Sequence, residues 1–325
     1  MTHPDSRPYL WMLGGSFAFT LMAVFAHALT AACDWQAVAV ARAGLVAGFG
    51  LLIAYLAGAK LVFLRPWRLW VRSVAGSCSM VCTFYAFDKL PVADVLTLAN
   101  TGPIWIALLS WPLYGRPPGW KMAAAIAVGV VGVVLVEQPH LAAGNWGVVA
   151  ALGAAVFSAV AMLGLHALRG IDPRAIVVHF SAVATLVCVG AYLVGASHGV
   201  LKHDPAGLVA APVVVMMTGM AVAATVGQLF LTRAFADGAP AKVSVVGLTQ
   251  IVMALAFDYW LWDHPLNRAM LVGIILVIAP TAWLLTRPAA ADVHDRDPGE
   301  PPPAAVRTGD RPAAADRPTP SLRPR

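Results

Sequence analysis

The stretch Tyr9–Thr30, YLWMLGGSFAFTLMAVFAHALT, contains no Asp, Glu, Lys or Arg. At 1.5 Å per residue it forms a helix of about 33 Å, enough to cross a hydrocarbon core of about 30 Å. A secretory signal has a shorter apolar segment, about 7–15 residues, so the stretch predicts a retained first membrane span. Inside a bilayer every backbone polar group needs an internal partner, and a helix supplies one.

The rest of the chain repeats this pattern. Of its 325 residues, 59% are hydrophobic and 12% are charged, unlike the balance of soluble globular proteins. We therefore predict an all-α membrane protein with ten transmembrane helices. The predicted spans are residues 9–30, 35–57, 69–87, 92–114, 121–137, 146–167, 175–195, 212–234, 240–262 and 268–286.

The Lys and Arg residues predict how the chain is threaded. With residues 1–8 in the cytoplasm, eleven of these cations fall on inner segments, Arg72 among them, and three on outer loops. Because positive charge stays on the cytoplasmic side, we predict a multi-pass protein of the inner (plasma) membrane with both termini cytoplasmic. Residues 288–325 are rich in Pro, Ala, Arg and Asp, which predicts a disordered cytoplasmic tail.

An internal repeat relates the two halves of the chain. A shift of 148 residues places the fourth span on the ninth, and a shift near 138 relates the first spans of the two halves. The matches at 148 are Ala86-Phe87 with Ala234-Phe235, Ala93 with Ala241, Val95 with Val243, Thr101 with Thr249, Leu113 with Leu261 and Pro117 with Pro265. Those at 138 are Phe19-Thr20 with Phe157-Ser158 and Asp34 with Asp172. Each unit holds five spans, so the repeat predicts two inverted five-helix units, residues 9–137 and 146–287.

Three stretches resemble a known family. Phe84–Asp94 (FYAFDKLPVAD) is similar to the end of the third span in EamA-type members of the drug/metabolite transporter (DMT) superfamily. The passage from Leu113–Pro117 (LYGRP) to Gly129–Val136 (GVVGVVLV) resembles the family's fourth and fifth spans. Its second-half equivalent runs from Leu261–Pro265 (LWDHP) to Gly273–Leu276 (GIIL).

The resemblance covers residues 9–287 and implies two EamA repeats around a central cavity that carries a small metabolite or drug. One departure is plain: the family usually has an acid after the small residue that closes the fourth and ninth spans, where this chain has Arg116 and His264. We therefore predict a secondary transporter for a small polar or amphipathic metabolite, such as an amino acid, organic anion or drug-like compound, moved outward by alternating access. An intramembrane enzyme, a channel and a scaffold are the alternatives.

The enzyme alternative lacks support in the sequence. The chain has no GxSxG, HExxH or P-loop motif, so we expect neither catalysis nor ATP-driven pumping. We also expect no cofactor, metal or nucleic acid, and name the lipid bilayer and a small-molecule substrate as partners. Gly44 and Gly48, and the stripe Ala125, Gly129 and Gly132, predict close helix packing, either inside one chain or across a homodimer.

Arg42 is the first candidate binding residue, about 10 Å inside the second span at helical rise. A charge at that depth either faces a wet cavity or extends to the outer headgroups. With His27 and Tyr85, near the outer ends of their spans, it forms a possible outer cluster. The repeat suggests an inner counterpart at His166, His179 and Arg233. Cationic and imidazole groups at both mouths favour an anionic substrate, although a membrane histidine can equally be a packing residue.

The middle of the fourth span supplies the second candidate set. It reads Asn100-Thr101-Gly102-Pro103-Ile104-Trp105, and Pro103 leaves the carbonyl of Ala99 without its helical donor. The broken helix, with Asn100, Thr101 and Trp105 beside it, predicts a substrate site or, alternatively, only a packing kink. Gln228 and Gln250 are expected on the opposite wall.

Overall fold

The computed structural model of the chain describes residues 6–29, 32–64, 66–90, 92–114, 119–138, 146–168, 170–199, 201, 207–208, 210–262 and 267–286. Within these residues the secondary structure is helical, without a strand. The predicted disordered tail, residues 288–325, lies outside the described residues, as do Arg116 and His264.

Twelve helices make up this described part of the chain. Those of the first half are α1 (Arg7–Leu29), α2 (Trp35–Leu56), α3 (Trp67–Lys89), α4 (Val92–Ala99), α5 (Gly102–Tyr114) and α6 (Trp120–Glu137). Those of the second half are α7 (Trp146–His166), α8 (Pro173–Ser197), α9 (Ala211–Asp237), α10 (Pro240–Gly247), α11 (Thr249–Trp262) and α12 (Arg268–Thr286).

Six helical segments are long and apolar enough to cross a membrane. They are Arg7–Ala26, Trp35–Leu56, Trp146–His166, Pro173–Ser197, Ala211–Asp237 and Pro240–Phe257. Two shorter apolar helices, Trp120–Val136 and Arg268–Trp283, accompany them. The prediction of a multi-pass, all-α membrane protein is confirmed.

The fourth and ninth predicted spans are each divided in two. Asn100 and Thr101 separate α4 from α5, and Leu248 separates α10 from α11. The first break precedes Pro103, which occupies the second position of α5, where a missing amide hydrogen costs little. The second break has no proline at the equivalent position, Ile251. Proline is therefore not the common cause of the two breaks.

Each long helix of the first half packs on one of the second. α1 packs on α9, and α3 packs on α7. Gly14 on α1 meets the ring of Phe230, and Gly219 on α9 meets the ring of Phe25. Because the early residue of one helix meets the late residue of the other, α1 and α9 run antiparallel.

The centre of the molecule is the contact between α2 and α8. Gly50 lies against Val178, and Gly195 lies against the amide of Gln36, so these helices also run antiparallel. α3 and α9 complete the centre by packing on α8 and α2, respectively.

α6 and α12 form a separate antiparallel pair through facing glycines. A Cβ on Gly132 would lie 2.8 Å from the carbonyl oxygen of Gly273, and a Cβ on Gly273 would lie 2.6 Å from that of Gly132. At the end of the pair, Gln138 Nε2 donates a hydrogen bond to Asn267 Oδ1 at 3.0 Å. The Gly132 part of the small-residue stripe is therefore used for packing inside one chain.

Candidate functional site

A small cavity lies where α2, α3, α8 and α9 meet. Its lining residues are Arg42, Ala43, Val46, Met80, Phe180, Ser181, Ala184 and Gln228. Its volume of about 10 Å³ is close to the space that one water molecule needs. A molecule larger than water therefore enters this cavity only if the lining helices move apart.

Arg42 contributes the charge that lines this cavity. Its Nε donates to the sulfur of Met22 at 3.1 Å, and its Nη1 donates to the sulfur of Met80 at 2.8 Å. Thioether sulfur is a weak acceptor, so the guanidinium retains strong hydrogen-bonding capacity. The sequence leaves two positions open for the Arg42 side chain, a cavity or the outer headgroups, and in the structure it lines a cavity.

Arg72 is a buried cation that its sequence position does not reveal. The charge count places it among the cytoplasmic cations, yet its side chain is 1% exposed. The guanidinium carbon lies 3.9 Å from the centroid of the Phe180 ring, and Nη2 donates to Gln228 Oε1 at 3.4 Å. Nε and Nη1 have no hydrogen-bond partner.

The helical pattern of α3 carried a signal for this position. Arg72 falls in register with Leu69, Gly76 and Met80, at the three- and four-residue spacing of a buried helix face. Arg68, four residues earlier, has the same spacing, but it is the second residue of α3 and is exposed. Spacing and distance from the helix end are both needed to separate the two arginines.

Gln228, expected opposite the broken fourth span, lies instead in the wall of the Arg42 cavity and is 7% exposed. Its side-chain oxygen accepts the hydrogen bond from Arg72. Gln228 and Phe180 therefore stand between Arg72 and the cavity. The Gln228 amide and Ser181 Oγ, which is buried without a partner, give this wall of the cavity a polar character.

His179 is held by neighbours away from the cavity wall. Its Nδ1 lies 2.8 Å from Ser73 Oγ, and its Nε2 lies 3.2 Å from the carbonyl oxygen of Phe63. A carbonyl only accepts, so Nε2 carries the hydrogen, and a neutral ring accepts from Ser73 at Nδ1. The Trp70 ring meets it edge-on, with centroids 4.7 Å apart. This geometry fits the packing interpretation and fixes the connection before α3 onto α8.

Thr101 and Trp105 stabilise the break between α4 and α5. The Thr101 hydroxyl donates to the carbonyl of Leu98 at 2.6 Å and accepts from Trp105 Nε1 at 3.2 Å. Neither residue lines the central cavity. Asn100, also predicted as a site residue, is half-buried within the break itself.

The remaining predicted residues lie apart from the cavity lining. Tyr85 is 39% exposed, with Lys89 Nζ 5.8 Å from its ring centroid. It follows Met80, the contact of Arg42, by five residues, which turns it to another face of α3. Gln250 is half-buried, and its carbonyl accepts from Thr20 Oγ1 at 3.3 Å. The side chain of His27 lies outside the described residues.

The suggested inner cluster is divided between separate contacts. His166 Nδ1 donates to the carbonyl of Gly238 at 3.1 Å, and the Arg233 guanidinium lies 5.2 Å from the Trp11 ring centroid. Among the described residues, no three His, Cys, Asp or Glu side chains are grouped in a way that could hold a metal ion.

Comparison with known proteins agrees with this architecture. The EamA-like transporter family matches the chain twice, over residues 6–137 and 145–286. The pseudopaline exporter of Pseudomonas aeruginosa is 28% identical over 274 residues, covering 81% of this chain and 90% of that protein. The riboflavin transporter of Rhizobium johnstonii is 26% identical over 280 residues, 85% of this chain and 90% of that protein.

A solved crystal structure shares the fold, with a TM-score of 0.73 over 87% of this chain and 97% of the other, at 16% identity. The two matches to the family together span most of the chain, and the resemblance predicted from the sequence is confirmed. The chain belongs to the EamA-like transporter family.

Proposed function

We propose that the chain is a secondary transporter that moves a small polar or amphipathic metabolite through the central cavity by alternating access. The observation that carries this proposal is the position of the cavity: its eight lining residues form four pairs related by the internal repeat. A shift of 138 residues carries Arg42, Ala43 and Val46 onto Phe180, Ser181 and Ala184, and a shift of 148 carries Met80 onto Gln228.

The helix bounds support the two repeated units. A shift of 138 carries the start of α2 onto the start of α8. A shift of 148 carries both ends of α4 onto those of α10, the end of α3 onto that of α9, and the start of α6 onto that of α12. The sequence matches that indicated the repeat were confined to shorter stretches.

Helix directions support an inverted relation between the units. α2 and its counterpart α8 run antiparallel in direct contact, as do α6 and its counterpart α12. The packing of α1 on α9 is mirrored by that of α7 on α3. Exchanging the halves thus leaves the contacts in place, as a two-fold axis in the membrane plane requires.

Ten membrane crossings follow if α4 with α5, and α10 with α11, each make one broken span. The units are residues 9–137 and 146–287, and the threading places both termini on the cytoplasmic side of the inner membrane. With Arg72 buried in the protein, ten cations fall on inner segments and three on outer loops, which retains the charge bias.

The small volume of this cavity favours a carrier over a channel, because a channel needs a continuous water-filled path. We propose outward movement as the working direction, since a relative covering most of this chain is an exporter. The pseudopaline and riboflavin relatives differ in the compound that their names give, so the relatives do not point to one substrate.

The test is counterflow in liposomes containing the purified full chain. The liposomes are loaded inside with a mixture of unlabelled metabolites. If the protein is a carrier, this load accelerates uptake of a labelled member of the mixture, and the uptake rate saturates with the concentration of the labelled compound. A channel gives no such acceleration, and an enzyme changes the compound instead of moving it. Liposomes without protein, and liposomes carrying a heat-denatured sample, are the controls.

A further inference from the structure

Among the side chains that the structure describes, the core contains two arginines and no acid that neutralises them. In the described part of the chain, Arg42 contacts two methionine sulfurs, and Arg72 contacts an aromatic ring and an amide. A buried cation without an anionic partner is costly. Membrane proteins that retain such a group in a helix generally use it in a substrate or ion pathway.

The contacts of Arg72 leave most of its hydrogen-bonding capacity unused. Its 3.4 Å bond to Gln228 is long, and its Nε and Nη1 have no partner although the side chain is 1% exposed. A guanidinium presents five N–H donors in a planar fork that matches the two oxygens of a carboxylate. The structure therefore contains a donor set whose natural complement is an anionic group.

Both cations belong to the first unit alone. The repeat-related position of Arg42 is Phe180, and that of Arg72 is Met220. The second unit thus fills the same two places with apolar residues, so a repeated helix scaffold does not by itself require a charge at either. The arginines are an addition to the scaffold, placed on one side of its axis.

Arg42 and Arg72 reach the centre from different positions along α3. Met80, which contacts Arg42, is eight residues beyond Arg72, a backbone rise of about 12 Å, and Arg72 Nη1 extends part of that way, to 3.0 Å from a Cβ built on Gly76. Phe180 and Gln228 line the cavity beside Arg42 and also contact Arg72. An anionic group bound by Arg42 therefore reaches Arg72 once these two side chains move.

We propose that the transported molecules carry an anionic group, such as a carboxylate, and that Arg42 and Arg72 bind it in succession on the two sides of Phe180 and Gln228. The inference rests on the transport function proposed above and names its substrate class. Arg42 holds the group at the cavity, and Arg72 receives it as the Phe180 ring and the Gln228 amide are displaced.

The test uses the full chain in liposomes at pH 7, exposed to a small-molecule extract of bacterial cells as the probe. Compounds retained above protein-free liposomes are identified by mass spectrometry. We expect the retained compounds to carry a negative charge. Arg42→Gln and Arg72→Gln should each reduce their retention tenfold or more, while Arg68→Gln, an exposed position one turn earlier on α3, should stay within twofold.

Arg42→Lys and Arg72→Lys provide the second readout, since they keep the charge without the planar fork. They should retain the preference for anions at reduced uptake, and they decide the question should a glutamine variant fail to fold. The proposed substrate class is wrong if the retained compounds are neutral or cationic, or if the glutamine variants take up as much as the unmodified protein. Either result would still agree with the proposed transport function. If the unmodified protein retains nothing, the transport function falls, and this inference falls with it.

Discussion

The guanidinium carbon of Arg72 lies over the Phe180 ring, 3.9 Å from the ring centroid, in the protein interior. A cation over an aromatic ring gains about 0.5–2 kcal/mol. Removing an ion from water costs several kcal/mol even after relaxation. The ring and the long hydrogen bond to Gln228 therefore offset only part of the cost. We therefore expect Arg72 to lower the stability of this structure, as a residue kept for function can do.

Arg72→Met should make the protein more stable and less active. Methionine occupies the repeat-related position 220, fills the space with a flexible apolar chain and removes the unneutralised charge. We expect the unfolding temperature in detergent to stay constant or rise, with a gain of up to about 1–4 kcal/mol, while transport falls at least tenfold. A fall in unfolding temperature would show that Arg72 is a structural residue.

His179→Ala should lower stability without abolishing transport. The substitution removes hydrogen bonds to Ser73 and to the Phe63 carbonyl and the edge contact with Trp70. Each hydrogen bond contributes about 1 kcal/mol net and the aromatic pair about 0.5–1.5 kcal/mol. We expect a loss of about 2–4 kcal/mol. Uptake per folded molecule should remain within about threefold, and a tenfold loss would instead make His179 a transport residue.

Gly132→Ala and Gly273→Ala should each weaken the contact between α6 and α12. The added methyl group meets a backbone carbonyl at less than 3 Å in both cases, so the helices must separate. Such overpacking costs about 1–3 kcal/mol, measurable as a lower unfolding temperature. Gly153→Ala is the matched control, because a Cβ there meets nothing within 4 Å. Equal stability of all three variants would contradict the packing described.

The sequence predicted the class of fold because membrane spans follow from run length and charge, which are local properties. The proposed repeat is visible in the sequence only where the two halves have matching residues, as at Thr101 and Thr249. The helix ends of the two halves correspond from α2 to α6, a longer range than the sequence matches cover. Backbone geometry can be the same in two segments whose side chains differ. The break at Leu248 could not be read from composition, because no proline marks it.

The site was predicted only in part, because the position of a residue along a span does not tell which way its side chain points. Arg42 and Gln228 line the cavity, whereas Tyr85 turns to an exposed face and His179 packs against Ser73. Arg72 was misassigned for the converse reason: it lies near a helix end but points inward. Which face of a helix is buried depends on contacts between distant segments, such as α3 with α8 and α9.

Reporter fusions should place the segments after α6 and after α12 on opposite sides of the membrane. The proposed topology has five crossings before Gln138 and ten before Thr286, so alkaline phosphatase fused after Gln138 should be active and a fluorescent protein fused there dark. The reverse should hold after Thr286 and after Gly119, and the ratio of the two signals at each site is the measurement. Like signals after Gln138 and Thr286 would mean that the units are not inverted. The two-fold axis, and with it the paired lining of the cavity, would then have no basis.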